Sequence, residues 1–188
     1  MKKSIVTLSA LVCLSTTAQA KNYLSFDLGK ATKAEVEQQL KTHAAAFSGN
    51  YGYQGYSQDL PIVKVLEYKN FSKYGAVKEA WLHFTPKKVL YKISVTYQDA
   101  GNVIKLFKDS LDSKYGSQAL RGGGFNQTAN YHDGKVNIAL QRNTFGFGSD
   151  QKTTLTYTFT PAISEVKSME KRIEDHIAQK NASQAADL

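Results

Sequence analysis

Cysteine is almost missing: the chain of 188 residues has one, Cys13. A disulfide framework is therefore excluded, as is a thiolate zinc cluster. Three prolines and 13 glycines exclude a collagen-like composition, and 41% hydrophobic residues exclude a disordered one. The four histidines, His43, His83, His132 and His176, stand at no zinc-like spacing. His132 and Asp133 are neighbours in a glycine-rich stretch and read as a turn pair rather than as ligands, so no metal or cofactor is expected. There is no G-x-S-x-G nucleophile elbow and no S-x-x-K with its partner motifs. Arg121-Gly122-Gly123-Gly124 lacks the Lys-Ser/Thr that completes a phosphate-binding loop. Acids such as Glu35, Glu37, Asp109, Asp112, Glu165 and Glu170 fall on helices and read as solvated faces. They do not announce the carboxylate pair of a glycosidase. The expectation is a protein without catalysis, the alternative being a cell-envelope enzyme acting on peptidoglycan or another glycan.

What is present begins with an address. Lys2 and Lys3 precede an apolar run, Ile5 to Leu14, and Ala18-Gln19-Ala20 follows as a cleavage site. This is the order of a bacterial export signal. The run is shorter than the ~20 residues a membrane span needs. Val12 before Cys13 is not the small residue that lipidation requires, so Cys13 leaves with the signal. The expected product is a periplasmic protein, not lipidated and without a membrane span, starting at Lys21. The full chain has 24 basic and 16 acidic residues, a charge of +8. Loss of Lys2 and Lys3 leaves 22 against 16, or +6. The basic residues are scattered, with no arginine-rich cluster, and a nucleic-acid partner is not expected.

Residues 21–160 read as a single α+β domain. Thr32 and Glu35 form a capping box for a first helix carrying Val36, Leu40 and Phe47, expected to end near Ser48-Gly49-Asn50. Strands are expected over 62–68, 80–84, 89–97, 135–142 and 153–160, where apolar and polar residues alternate. A second helix, capped by Asp99 or Asn102, carries Val103, Ile104, Phe107, Leu111 and Tyr115 and stops at Gly116. The sum is an antiparallel sheet of about five to six strands with two helices packed on it, in an order that suggests two tandem αβββ-like units. Thr160-Pro161 opens a C-terminal helix over 161–180 with the stripe Ile163, Val166, Met169, Ile173 and Ile177. That stripe needs cover from the sheet or from a second copy, which would make a homo-oligomer. Residues 181–188 read as a fraying tail.

The remaining aromatics suggest where function lies. Tyr51, Tyr53 and Tyr56 sit among glycines in 48–58, and Phe125 and Tyr131 in a second glycine-rich segment, 121–134. Both segments read as loops, and loop aromatics are suited to protein or glycan contacts. These five are the candidate binding residues.

The stretch Leu28-Gly29-Lys30-Ala31-Thr32-Lys33-Ala34-Glu35-Val36 with Leu40 resembles the opening of the BamE/SmpA-OmlA family. The turn Phe84-Thr85-Pro86-Lys87-Lys88-Val89-Leu90 is similar to that family's strand-turn-strand. The resemblance implies a small periplasmic α+β module, related in shape to tandem-unit β-lactamase inhibitor proteins, that acts by binding an envelope protein. It assigns no functional residue.

Overall fold

The computed structural model describes residues 21–99, 101–146 and 150–186. The expected export signal and the last two residues of the tail lie outside them. Two short strands, β1 (Asn22–Tyr23) and β2 (Phe26–Asp27), form an N-terminal hairpin that places Phe26 in the core. Helix α1 (Lys33–Thr42) starts as expected: the Glu35 amide donates to the Thr32 hydroxyl, and the Thr32 amide donates to Glu35 at 2.7 Å. It ends earlier than expected. Ala44 takes a left-handed conformation, and the Ala45 amide closes on the Leu40 carbonyl at 2.9 Å. Phe47 therefore belongs to a strand and not to the helix.

That strand, β3 (Ala46–Tyr53), pairs with β4 (Tyr56–Glu67). The short helix α2 (Lys69–Ser72) leads to β5 (Val77–Phe84) and β6 (Leu90–Gln98). Helix α3 (Asn102–Tyr115) follows, then β7 (Asn126–Asp133), β8 (Val136–Asn143) and β9 (Lys152–Phe159). The sheet has seven antiparallel strands in the order β3-β4-β5-β6-β9-β8-β7, more than the five to six expected. The two additional strands are its edges. Both segments expected to be loops, 48–58 and 121–134, are largely strand.

Asp99, and not Asn102, caps α3. Its carboxylate accepts the amides of Gly101 (2.6 Å), Val103 (2.9 Å) and Ile104 (2.8 Å), and the Thr153 hydroxyl on β9 (2.6 Å). Gly116 ends the helix with φ +86°.

One face of the sheet carries the main core. Across the strands runs the apolar row Val63, Leu82, Ile93, Tyr157, Ile138 and Tyr131. Val36 and Leu40 of α1 cover it with Ile104, Phe107 and Leu111 of α3 and Phe71 of α2. The last helix, α4 (Ile163–Ala186), packs against a different set, in which Leu60 meets Val166 and Ile173, flanked by Tyr53, Tyr56, Tyr91, Met169 and Ile177. Cover for the apolar stripe of α4 thus comes from the chain's own strands. The helix is entered through a tight turn, Thr160–Ala162. The Thr160 hydroxyl bonds to the Lys135 carbonyl and does not cap α4. The helix also continues to Ala186, through most of the segment expected to fray. Among the described residues, no helix is long and apolar enough to cross a membrane.

Candidate functional site

The face of the sheet opposite α1 and α3 is polar. In register it runs Tyr51, Ile62, His83, Lys92, Thr158, Asn137 and His132, from one edge to the other. Beside this lies Lys64, Trp81, Ser94, Thr156, Ala139 and Asn130. A third row has Glu79, Thr96, Thr154, Gln141 and Thr128. Hydroxyls meet between the central strands: Thr96 to Thr154 at 2.9 Å and Ser94 to Thr156 at 3.3 Å. The strict alternation of β9, with Thr154, Thr156 and Thr158 against Leu155 and Tyr157, generates both faces at once.

Aromatic and basic groups gather at the β3 end of this face. Tyr51 stands edge-on to Trp81, with ring centres 5.5 Å apart and planes at 88°. The Lys64 ammonium lies over the Trp81 ring, 5.0 Å from its centre. A cleft of about 350 Å³ is lined by Tyr51, Gly52, Ile62, Trp81, His83, Lys92 and Ser94. A second, of about 180 Å³, continues from Ile62, His83 and Lys92 to Tyr91 and to Glu170 of α4. Irregular pairing shapes this second cleft. Phe84 pairs with Leu90 and His83 with Lys92, so Tyr91 is an extra residue that packs with the α4 cluster. Burial, and then the charge of Lys92, hold the His83 imidazole down to about 3, so it is neutral at pH 7. Among the described residues neither His83 nitrogen has a hydrogen-bond partner, and Lys92 has no ion-pair partner.

The five residues singled out from the sequence do not come together. Tyr51 lines the cleft and is 43% exposed. Tyr53 and Tyr56 are turned to α4: the Tyr53 hydroxyl donates to Glu174 at 2.7 Å, and Tyr56 meets His176 edge to face at 6.0 Å. They fasten the helix to the hairpin. Phe125 lies at the opposite edge of the sheet, exposed, in edge contact with the equally exposed Phe145 at 5.4 Å. Tyr131 is no surface residue. It is 1% exposed within the main core, and its hydroxyl donates to Asp112 at 2.7 Å. His132 and Asp133 lie on a strand and point apart. His132 is bonded to Asn137, and Asp133 accepts from Tyr23 and Tyr115. Among the described residues no cluster of His, Cys, Asp and Glu is suited to hold a metal ion.

Trp81, His83, Lys92 and Ser94 are new to the site. Their signal was the polar phase of the β5 and β6 alternation, but only the register across strands places them beside Tyr51.

The β3–β4 hairpin that presents Tyr51 depends on Gly52. A methyl group there would run into the backbone of Tyr56 and Ser57. Gly52→Ala should therefore cost about 2 kcal/mol, the size of an overpacking defect. Urea denaturation measures it, and an unchanged midpoint would mean that the hairpin opens freely.

Compared with known proteins, the chain matches no family model, no curated protein and no solved structure.

Proposed function

We propose that the protein is an exported, periplasmic binding module that acts through protein or glycan contacts without catalysis. The open polar face of its sheet is the contact surface. The observation that carries this reading is the corner of Trp81 and Tyr51 on a face whose other residues are mainly hydroxyl, amide, imidazole and charged side chains. A partly exposed aromatic pair beside one aliphatic residue, with polar groups on the other sides, has the composition of a binding surface and not of a core. The clefts add support. Among the described residues, five clefts on and around the sheet each have at most one carboxylate in their lining, Glu67 in one, Glu170 in another and Glu35 in a third. A glycosidase would set two carboxylates across one cleft. The resemblance of the first helix to the BamE/SmpA-OmlA opening points to a binding module in the same compartment. The order α1, β4, β5, β6 and α3, β7, β8, β9 fits two αβββ-like units when β3 and the short helix α2 are counted as additions to the first.

A photo-reactive benzoylphenylalanine tests the surface directly. Placed at Tyr51 or Glu79 on the open face, it should give a discrete adduct in the cell envelope. Placed at the exposed Lys105 of α3, it should give none. Adducts confined to Lys105, or release of soluble fragments from peptidoglycan by the purified protein, would refute the reading.

A further inference from the structure

We infer that the corner between Trp81 and Tyr51, with Lys92, His83 and Ser94 beside it, is a subsite for one carboxylated sugar ring of an extended saccharide. The inference rests on the reading of the open face as a contact surface and names the ligand class for that surface.

The aromatic corner supplies the first part. Tyr51 stands perpendicular to Trp81, so the two rings make two walls of the cleft, and Ile62 adds an apolar patch between them. A pyranose has an apolar ring face of C–H groups and a polar rim, and it needs walls of this kind. A cavity of about 350 Å³ has room for one such ring and its substituents. Lys64 lies over the Trp81 ring from the neighbouring strand and is not among the residues that line the cleft.

The polar groups supply the second part. Lys92 brings a positive charge to the cleft, and no carboxylate lines it. Of the acids around it, Glu170 lies in the adjoining cleft under α4, and Glu79 is two residues from Trp81 along β5 without lining the cleft. An anionic substituent is therefore favoured over a neutral one. The neutral His83 imidazole offers both a donor and an acceptor nitrogen, and Ser94 a hydroxyl; these suit ring hydroxyls, which both donate and accept.

The rest of the face supplies the word extended. From Lys92 the same register row continues through Thr158 and Asn137 to His132, and its neighbour through Thr156 to Asn130. With strands about 4.8 Å apart, the four from β6 to β7 extend the surface by roughly 14 Å, over mostly hydroxyl and amide groups. A protein partner would ask for more apolar area at the centre of such a surface. A saccharide does not.

The chain's only tryptophan lines the subsite, so its emission reports occupancy. The full-length mature protein is titrated with trigalacturonate and with neutral galactotriose, and the heats are followed in parallel by calorimetry. A second pair of probes, N-acetylglucosaminyl-N-acetylmuramic acid and diacetylchitobiose, asks whether the carboxylate is accepted from a peptidoglycan sugar as well. At least one acidic probe should bind saturably, about tenfold more tightly than its neutral partner, the worth of one charge-assisted hydrogen bond. Lys92→Met should abolish that preference. Tyr51→Ser should weaken both members of a pair. Titrations flat in emission and in heat, equal binding within both pairs, or a preference that survives Lys92→Met would overturn the assignment. If adducts still form at Tyr51 in the envelope while every titration is flat, the surface binds something else, and only the saccharide is refuted.

Discussion

Replacing Asp99 by Ala should destabilise the protein by about 3 kcal/mol, because it removes a helix cap and strands a buried hydroxyl in one step. Asp99 is 1% exposed and accepts four hydrogen bonds, two from the first turn of α3, one from Gly101 just before it and one from Thr153, itself fully buried. Asp99→Asn should recover only part of the loss. An amide nitrogen in place of Oδ2 would face the Ile104 N–H donor to donor. The charge also sets a pH dependence. Burial alone would raise the Asp99 pKa, but the bonds from Thr153, Gly101, Val103 and Ile104 outweigh it and hold the carboxyl below its ordinary value. A depressed folded-state value means that the stabilisation is complete above about pH 4, where the unfolded chain is ionised. It is lost as the pH falls from there through the folded value. Urea midpoints from pH 7 down to pH 2.5 should therefore fall more steeply for the native chain than for Asp99→Asn. Parallel profiles would show that Asp99 contributes nothing through its charge.

Ile173→Asp should undock α4 as a unit. Ile173 is 4% exposed, and with Val166 and Leu60 it makes up a small cluster separate from the main core. An unpaired carboxylate there should cost about 3 kcal/mol of docking energy. A surface joined to the rest by so few buried side chains opens locally before the core does. Hydrogen exchange should show the amides of 163–177 losing protection in the variant while those of β6 and β9 keep theirs. Retained protection in α4 would mean that the helix is held by its polar contacts, Tyr53 to Glu174 and Lys87 to Glu165. Undocking also removes Glu170 from one wall of the smaller cleft, so the same variant tests whether α4 shapes the site.

The parts of the fold legible in the sequence are those with one strongly apolar face. β5, β6, β8 and β9 alternate visibly because buried apolar residues such as Leu82, Ile93, Ile138 and Leu155 recur at every second position, on their inward faces. β3 and β7 are sheet edges and do not. β3 reads Ala-Phe-Ser-Gly-Asn-Tyr-Gly-Tyr, has no buried residue and bulges repeatedly against β4, so composition pointed to a loop. β7 hides two buried residues, Ala129 and Tyr131, among amides and hydroxyls. The end of α1 carried no signal either, since its left-handed stop is Ala44 and not a glycine. For the site, Tyr51 could be singled out for its setting, but Trp81 and Lys92 look like ordinary outward residues until the register sets them side by side.

The central ladder has a kinetic consequence. β3 to β6 form one meander and β7 to β9 another, each closed through short connections. Only β6 and β9 join them, and partners such as Lys92 and Thr158 are 66 residues apart (158 − 92). Closing that loop is the largest single loop-closure cost among the strand pairs of the sheet, and its reward comes only when both strands are already in place. The middle of the sheet is thus expected to form late, with the folding rate set in large part by bringing the two halves of the chain into register.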